Sequence, residues 1–352
     1  MDINKYMTTV INFTMFVVVI ILSSMLIESA FRLITHTMPE PYYAYGMRND
    51  FVLSPYVMFA EPDVSHGGKL NSQGFEGPEL QAFKNSIEIR IAVLGGSAAW
   101  GGGIKKSIAG NLQKFLKEYF PNKDIRVVNY GRRSYISMQE LILLQRNILQ
   151  LNFDLIIVYD GFNDIYVPYC YEKEGVGYPF LYSNLKERID STTLINYGII
   201  INYLSSKSAI INYFKKSNHL NNYEYRFDIN KCCKEYYNNI YQMAVLSKAY
   251  NANFIVTVQP CIATKKHLTS NEKCLIDNNT LKNLKIYYDN LIYNAKEAAN
   301  KTRSNYIEVT NVFDDIRDDI FCDVVHNDIG KGNPLIAKKL ADEINALNIL
   351  KK

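Results

Sequence analysis

Patterns that would hold a metal are missing from this chain. Its 352 residues contain six cysteines with no Cys-x-x-Cys pair, and no His-Glu-x-x-His occurs, so metal catalysis has little support and neither metal nor cofactor is expected. A phosphate-binding loop is excluded by spacing, because Gly96 and Gly101 are followed by Gly102 where lysine is required. A nucleophile elbow would need glycine at Ala99. A dinucleotide fingerprint fails as well, since Gly101-Gly102-Gly103 lacks its third glycine. No sustained basic run is present either. The 39 Lys and Arg against 35 Asp and Glu leave a net charge of only +4, spread along the chain, which argues against a nucleic-acid partner.

Long apolar runs are scarce after the first 30 or so residues, and the one at the N-terminus stands out. Val10 to Ile27 is broken only by uncharged polar residues such as Asn12, Thr14, Ser23 and Ser24. It comes close to the roughly 20 residues that span a bilayer as a helix. A cleaved signal peptide is the rival, but no small-residue cleavage site follows cleanly. An uncleaved signal anchor over residues 1–35 is the expectation, with the membrane as partner. Flanking charge leaves its orientation open: Lys5 precedes the run, while Arg32 and Arg48 follow. Residues 36–87 carry Pro39, Pro41, Pro55, Pro62 and Gly67-Gly68 and read as a loop-rich connector. The cysteines (Cys170, Cys232, Cys233, Cys261, Cys274, Cys322) are open to two readings, disulfides in an oxidising compartment or free buried thiols.

From residue 88 to 348 the pattern alternates between short apolar runs and helical stripes. Strands are predicted at Ile89–Leu94, Ile125–Val128, Leu155–Tyr159, Phe254–Val258 and Tyr306–Val309, the buried strands of a parallel sheet. Helices are predicted from Ser107 to Phe120 (Ile108, Leu112, Phe115, Leu116 and Tyr119 on one face), from a capping box at Ser137-Met138-Gln139-Glu140, and from Asn333 to Leu347, burying Leu335, Ile336, Leu340 and Ile344. The expected fold is α/β: a flavodoxin-like three-layer α/β/α sandwich with a mostly parallel five-stranded sheet, plus one N-terminal transmembrane helix. Between about 165 and 230 the pattern weakens and tyrosine and asparagine accumulate. That stretch reads as an insertion beside the site, with Tyr166, Tyr169, Tyr171, Tyr178 and Tyr182 as candidates to stack on sugar rings, or as a mere consequence of a chain rich in tyrosine.

Candidate chemistry lies at the ends of these strands, where open α/β folds build their sites. Ser97 follows Gly95-Gly96 directly after the first strand. Gly131 follows Asn129-Tyr130 after the second, where its backbone N–H could face a developing negative charge. Asn163, in Gly161-Phe162-Asn163-Asp164 after the third, offers a side-chain amide, and Asp164 reads as a helix cap. Asp323 and His326 sit three residues apart, a spacing that lets the carboxylate reach the imidazole Nδ1–H and direct Nε2 at a serine. The other histidines (His36, His66, His219, His267) read as exposed polar residues, and Asp314, Asp315, Asp318 and Asp319 as a solvated acidic turn.

With these residues in their order, the chain resembles the SGNH (GDSL-like) hydrolases, a family named for the Ser, Gly, Asn and His of its four blocks. Ser97, Gly131, Asn163 and His326 match those positions, and Asp323 matches the acid of the Asp-x-x-His block. The resemblance runs from about Asn71 to Ala346. Asn71-Ser72-Gln73-Gly74-Phe75, Gly95-Gly96-Ser97 and Asn327-Asp328-Ile329-Gly330 are similar to membrane-anchored bacterial members. It implies a catalytic Ser97–His326–Asp323 triad and an oxyanion hole from the N–H groups of Ser97 and Gly131 plus the Asn163 amide. It also implies a catalytic domain outside the cytoplasmic membrane. Departures are Gly-Gly-Ser in place of Gly-Asp-Ser, Glu76 where members often carry arginine, and Ser134 where they often carry glycine. The implied function is a serine esterase removing a small acyl group, acetyl foremost, from a carbohydrate or other cell-envelope ester. The alternatives are an O-acyltransferase acting on a cell-surface glycan and a non-catalytic envelope glycan-binding protein.

Overall fold

The computed structural model describes residues 3–36, 52–60, 70–101, 103, 105–171, 203–204, 207–211, 213–214 and 227–350. The chain divides into two compact units, Met1–Asn49 with Ser183–Glu224, and Asp50–Tyr182 with Tyr225–Lys352.

The first unit is built on α1 (Ile3–Thr35). Within it, Met7–Thr35 is long and apolar enough to cross a membrane. Just past the apolar run the helix carries Glu28 and Arg32, which pair at 2.9 Å. Glu28 then accepts hydrogen bonds from the Ser208 hydroxyl at 2.6 Å and from the N–H groups of Ala209 and Ile210. Arg32 donates to the Lys207 carbonyl at 3.1 Å, and Phe31 meets Tyr213 edge to face with ring centroids 5.5 Å apart. The described residues at 207–214 of the expected insertion therefore meet α1. Tyr178 and Tyr182 lie outside the described residues, as do the side chains of Tyr169 and Tyr171.

The second unit holds a five-stranded sheet of β3 (Glu88–Gly95), β4 (Asp124–Asn129), β5 (Leu155–Asp160), β6 (Asn253–Val258) and β7 (Asn305–Tyr306), in the order β4-β3-β5-β6-β7. Every pairing is parallel. In sequence order this is the flavodoxin-like 2-1-3-4-5 arrangement, whose ligand crevice lies beyond the carboxyl ends of the strands. β3 and β5 are buried along their whole length, as strands covered on both faces must be. Arg90 stays inside β3 because each of its three side-chain nitrogens has a partner: Nε reaches Glu88 at 2.7 Å, and its terminal nitrogens reach the Leu151 and Gln81 carbonyls. β7 is shorter than predicted. It stops at Tyr306, although the Ile307 N–H still donates to the Val256 carbonyl at 3.1 Å.

Helices cover the sheet. α3 (Ile108–Tyr119) is capped by Ser107, whose hydroxyl accepts the Gly110 N–H, and it buries Ile108, Leu112 and Leu116. Each such side chain contributes about 1.5–3 kcal/mol when fully removed from water. α9 (Gly332–Ala346) lies against it and buries Ile336, Leu340 and Ile344, whereas Leu335 is exposed because it falls on the outer face of the stripe. Between them in sequence come α2 (Ser97–Trp100), α4 (Ser137–Leu143), α5 (Phe162–Tyr171), α6 (Ile229–Ala249), α7 (Ser270–Lys273) and α8 (Asn278–Thr302).

The start of α4 departs from the sequence expectation. Ser137 is its first residue rather than its cap, and the Gln139 side chain accepts the Ile136 N–H at 3.2 Å. Asp164 takes both the N–H and the hydroxyl of Ser137, so it holds α4 from the first turn of its own helix. The connector also contains a short antiparallel pair, β1 (Val52–Ser54) and β2 (Met58–Ala60), where the sequence predicts loop. Its later part, 70–77, closes the sheet edge: Glu76 bridges to Asn129, and Phe75 packs on Tyr130 with centroids 4.5 Å apart.

Candidate active site

Parallel register brings the strand ends level. Val93 lies opposite Asn129, and Gly95 opposite Tyr159, so Ser97, Gly131 and Asn163 emerge on one edge of the sheet. Gly95 makes the turn possible: its φ is +155°, and a Cβ there would lie 2.2 Å from the Tyr159 carbonyl oxygen. Ser97 then opens α2, so its backbone N–H belongs to the first turn, where no helical carbonyl can accept it.

His326 and Asp323 arrive from the long loop after β7. That loop folds back on itself through a bridge between Phe321 and Asn327, and the Cys322 N–H donates to the His326 carbonyl at 2.8 Å. The Ile262 N–H donates to the Val324 carbonyl at 2.9 Å, tying the loop to the segment after β6. The result is a continuous line: Ser97 Oγ to His326 Nε2 at 2.7 Å, and His326 Nδ1 to Asp323 Oδ2 at 2.7 Å. Asp323 Oδ1 accepts the N–H groups of Val325 and His326 at 2.8 and 2.7 Å. Loss of hydration would raise the Asp323 carboxyl, but the hydrogen bonds from the His326 ring and from these two N–H groups outweigh it and hold it below its ordinary range. It is therefore ionised at neutral pH, the state that orients an imidazole. The His326 and Asp323 side chains keep 43% and 55% of their exposure, so a substrate can reach the line.

Around Ser97 the structure places Asn163 and Gly131 differently. Asn163 Nδ2 donates to the Tyr135 carbonyl at 2.8 Å, which leaves its second hydrogen to point elsewhere. A Cβ on Gly96 would lie 2.7 Å from that nitrogen, so the Gly-Gly-Ser variant and the position of Asn163 are linked by space. Gly131 lies against α2, where a Cβ would meet Trp100 N at 2.5 Å, but its N–H donates to Asn129 Oδ1 at 3.0 Å. Asn129 Nδ2 in turn reaches the Trp100 carbonyl at 3.2 Å. The sequence marks Asn129 only as part of the Asn129-Tyr130-Gly131 turn, with no role of its own; a polar residue closing the Val127-Val128 end of the strand is its signal.

A second group that sequence reasoning missed lies behind Asn163. Glu140 of α4, Asp160 at the end of β5 and Asp164 of α5 are all buried. Tyr236 donates to Asp160 at 2.8 Å, and Asn239 donates to the Ser137 hydroxyl at 2.9 Å. Burial first, then the neighbouring carboxylates, push Glu140 and Asp164 well above the carboxylate range, and burial pushes Asp160 up to about 6. Proton sharing among these acids lets them coexist where three charges could not. Among the described residues no group of three or more His, Cys, Asp or Glu is arranged to hold a metal ion. Cys232, Cys233, Cys261, Cys274 and Cys322 are free thiols.

A cavity of about 190 Å³ is bounded by Ile165, Tyr166, Leu284, Tyr287 and Val324. Two of these residues neighbour the site in sequence, Ile165 after Asn163 and Val324 after Asp323. Tyr166 stacks on Phe162 with ring centroids 4.7 Å apart.

No family model matches this chain, and no curated protein matches it. Among solved structures, it is similar to an acetylxylan esterase, Axe2, from Geobacillus stearothermophilus, with 14% identity and a TM-score of 0.46 over 74% of this chain and 96% of that one. It is also similar to LAE5, an alpha/beta hydrolase from the metagenome of Lake Arreo, Spain (14% identity, TM-score 0.46, 77% and 99% covered). A third similar structure is the acetyl xylan esterase AlAXEase (14% identity, TM-score 0.44, 73% and 100% covered).

Proposed function

We propose that this protein is a membrane-anchored serine esterase of the SGNH type that removes a small acyl group, acetyl foremost, from a cell-envelope carbohydrate. The observation that carries the reading is the unbroken Ser97–His326–Asp323 line, with both contacts at 2.7 Å. In the proposed reaction Ser97 Oγ attacks the ester carbonyl while its proton passes to His326 Nε2. Asp323, held ionised, stabilises the imidazolium and fixes its tautomer. Negative charge on the carbonyl oxygen is met by the Ser97 N–H and the Asn163 amide. The Gly131 N–H joins them when it exchanges the Asn129 oxygen for the oxyanion. The alkoxide leaves with the proton from His326, and water, deprotonated by the same imidazole, releases the acid and restores Ser97. An acyl methyl suits the apolar wall of the cavity beside Ile165 and Val324.

Hydrolysis of p-nitrophenyl acetate by the full-length chain in neutral detergent tests this. Turnover is expected from the native sequence and is expected to vanish in Ser97→Ala. Equal turnover in both, or none in either, would overturn the reading.

A further inference from the structure

A separate cavity of about 600 Å³ lies on the same side of the triad loop as the segment after β6. Lys266 and His267 line it from that segment, Lys273 from α7, Lys282 and Lys285 from α8, and Arg317 from the loop after β7. No acidic residue lines it. Five Lys and Arg side chains thus face one concavity with no acid among the residues that line it. Among the described residues none of these five has a carboxylate within ion-pair distance. Three acids close to the lining in sequence are hydrogen-bonded without pairing with a lining cation's side chain: Asp277 accepts the Asn279 and Thr280 N–H groups, Asp314 the Lys266 backbone N–H, and Asp319 the Thr269 hydroxyl and Asn271 amide.

The cavity's one neutralised lysine explains how it is held. Lys265 and Glu272 are both fully buried and paired at 2.7 Å. Glu272 also accepts the Ile320 and Phe321 N–H groups, and Lys265 donates to the Asp318 carbonyl at 2.7 Å. The wall is thus fastened to the loop that carries Asp323 and His326, and Ile262 at its edge donates to Val324 in that loop. Clustered cations around a concavity concentrate anions there. The volume falls in the range of about 300–1,000 Å³ typical of small-ligand sites, and Leu268 and Leu281 add apolar surface for the C–H faces of a sugar ring.

We infer that this cavity binds an anionic oligosaccharide and that the esterified glycan is acidic; as an assignment of substrate class this rests on the esterase reading. A concave site fits a glycan better than a membrane surface, which would need a flat array of cations. The test uses the full-length chain in neutral detergent and an oligogalacturonate as probe, with Lys282→Glu/Lys285→Glu as the variant. Both substitutions lie on an exposed helix face. Binding by the native chain is expected, weakened about tenfold or more in the double variant and by added salt. A control pair, Lys231→Glu/Lys234→Glu, exposed on α6, is expected to bind as the native chain does. p-Nitrophenyl acetate carries no charge, so its turnover is expected to survive in the double variant. Oligogalacturonate binding without p-nitrophenyl acetate turnover would keep the site and remove the esterase. Turnover without oligogalacturonate binding would do the reverse. The inference is overturned by absent binding, by equal loss in the control pair, by inorganic phosphate competing as well as the oligosaccharide, or by capture of phosphatidylglycerol vesicles in place of the probe.

Discussion

At the scale of single residues, Gly96 and Asn163 make a pair that separates chemistry from folding. Asn163→Ala removes the proposed oxyanion donor, and turnover is expected to fall by roughly 10²–10³. Gly96→Ala is expected to do comparable damage by a different route. The added methyl would lie 2.7 Å from Asn163 Nδ2, and the amide, being the end of a side chain, gives way before the backbone does. Steady-state kinetics beside a denaturation curve checks both: kcat should drop in each variant while the unfolding midpoint stays close to the native value. A Gly96→Ala variant with native kcat would show that Asn163 takes no part. Ser97, Gly131 and Asn163 stand out in the sequence because each follows a strand end with glycine or asparagine close by, and Asp323 and His326 because of their three-residue spacing. Asn129 does not, because its work is done by hydrogen bonds to the Gly131 N–H and the Trp100 carbonyl, partners that only the fold brings together.

At the scale of elements, α4, α5 and α6 meet over the carboxylates of Glu140, Asp160 and Asp164. Their pKa values are raised in the folded state, so folding is least penalised below the ordinary carboxylate range, near pH 4. The penalty grows as pH rises toward about 6, where Asp160 titrates, and beyond it for the other two. Asp323 works in the opposite sense: its lowered pKa contributes stability above its ordinary value that is lost as pH falls, so the two effects occupy different windows. Glu140→Gln is therefore expected to raise the unfolding free energy more at pH 8 than at pH 5. Denaturant titrations at the two pH values measure this, and a variant whose gain is equal at both would contradict it. The same cluster shows why helix starts were harder to read than strands. Strand positions followed from short apolar runs, a local signal. The start of α4 is governed by Asp164, 27 residues away, so the Ser137-x-x-Glu140 pattern suggested a cap that long-range hydrogen bonding overrides.

At the scale of the whole molecule, the apolar run of α1 offers about 27 Å of helix over Val10–Ile27 at 1.5 Å per residue, close to the ~30 Å hydrocarbon core. The chain is expected to stay with the membrane fraction through alkaline carbonate extraction and to be released only by detergent. Recovery in the carbonate supernatant would count against the anchor. Protease protection of sealed vesicles would then report on which side the second unit lies, a question that Lys5, Arg32 and Arg48 leave open.

Glu28 changes what removing α1 would mean. Its carboxylate is the acceptor for Ser208, Ala209 and Ile210, so it serves as the N-terminal cap of a helical turn about 180 residues away in the chain. A fragment begun after Thr35 would lose more than an apolar helix. It would carry a turn with three stranded donors and an uncovered Ala209, and an engineer seeking a water-soluble form would need to supply a replacement acid at Ser208 or delete the turn along with the helix.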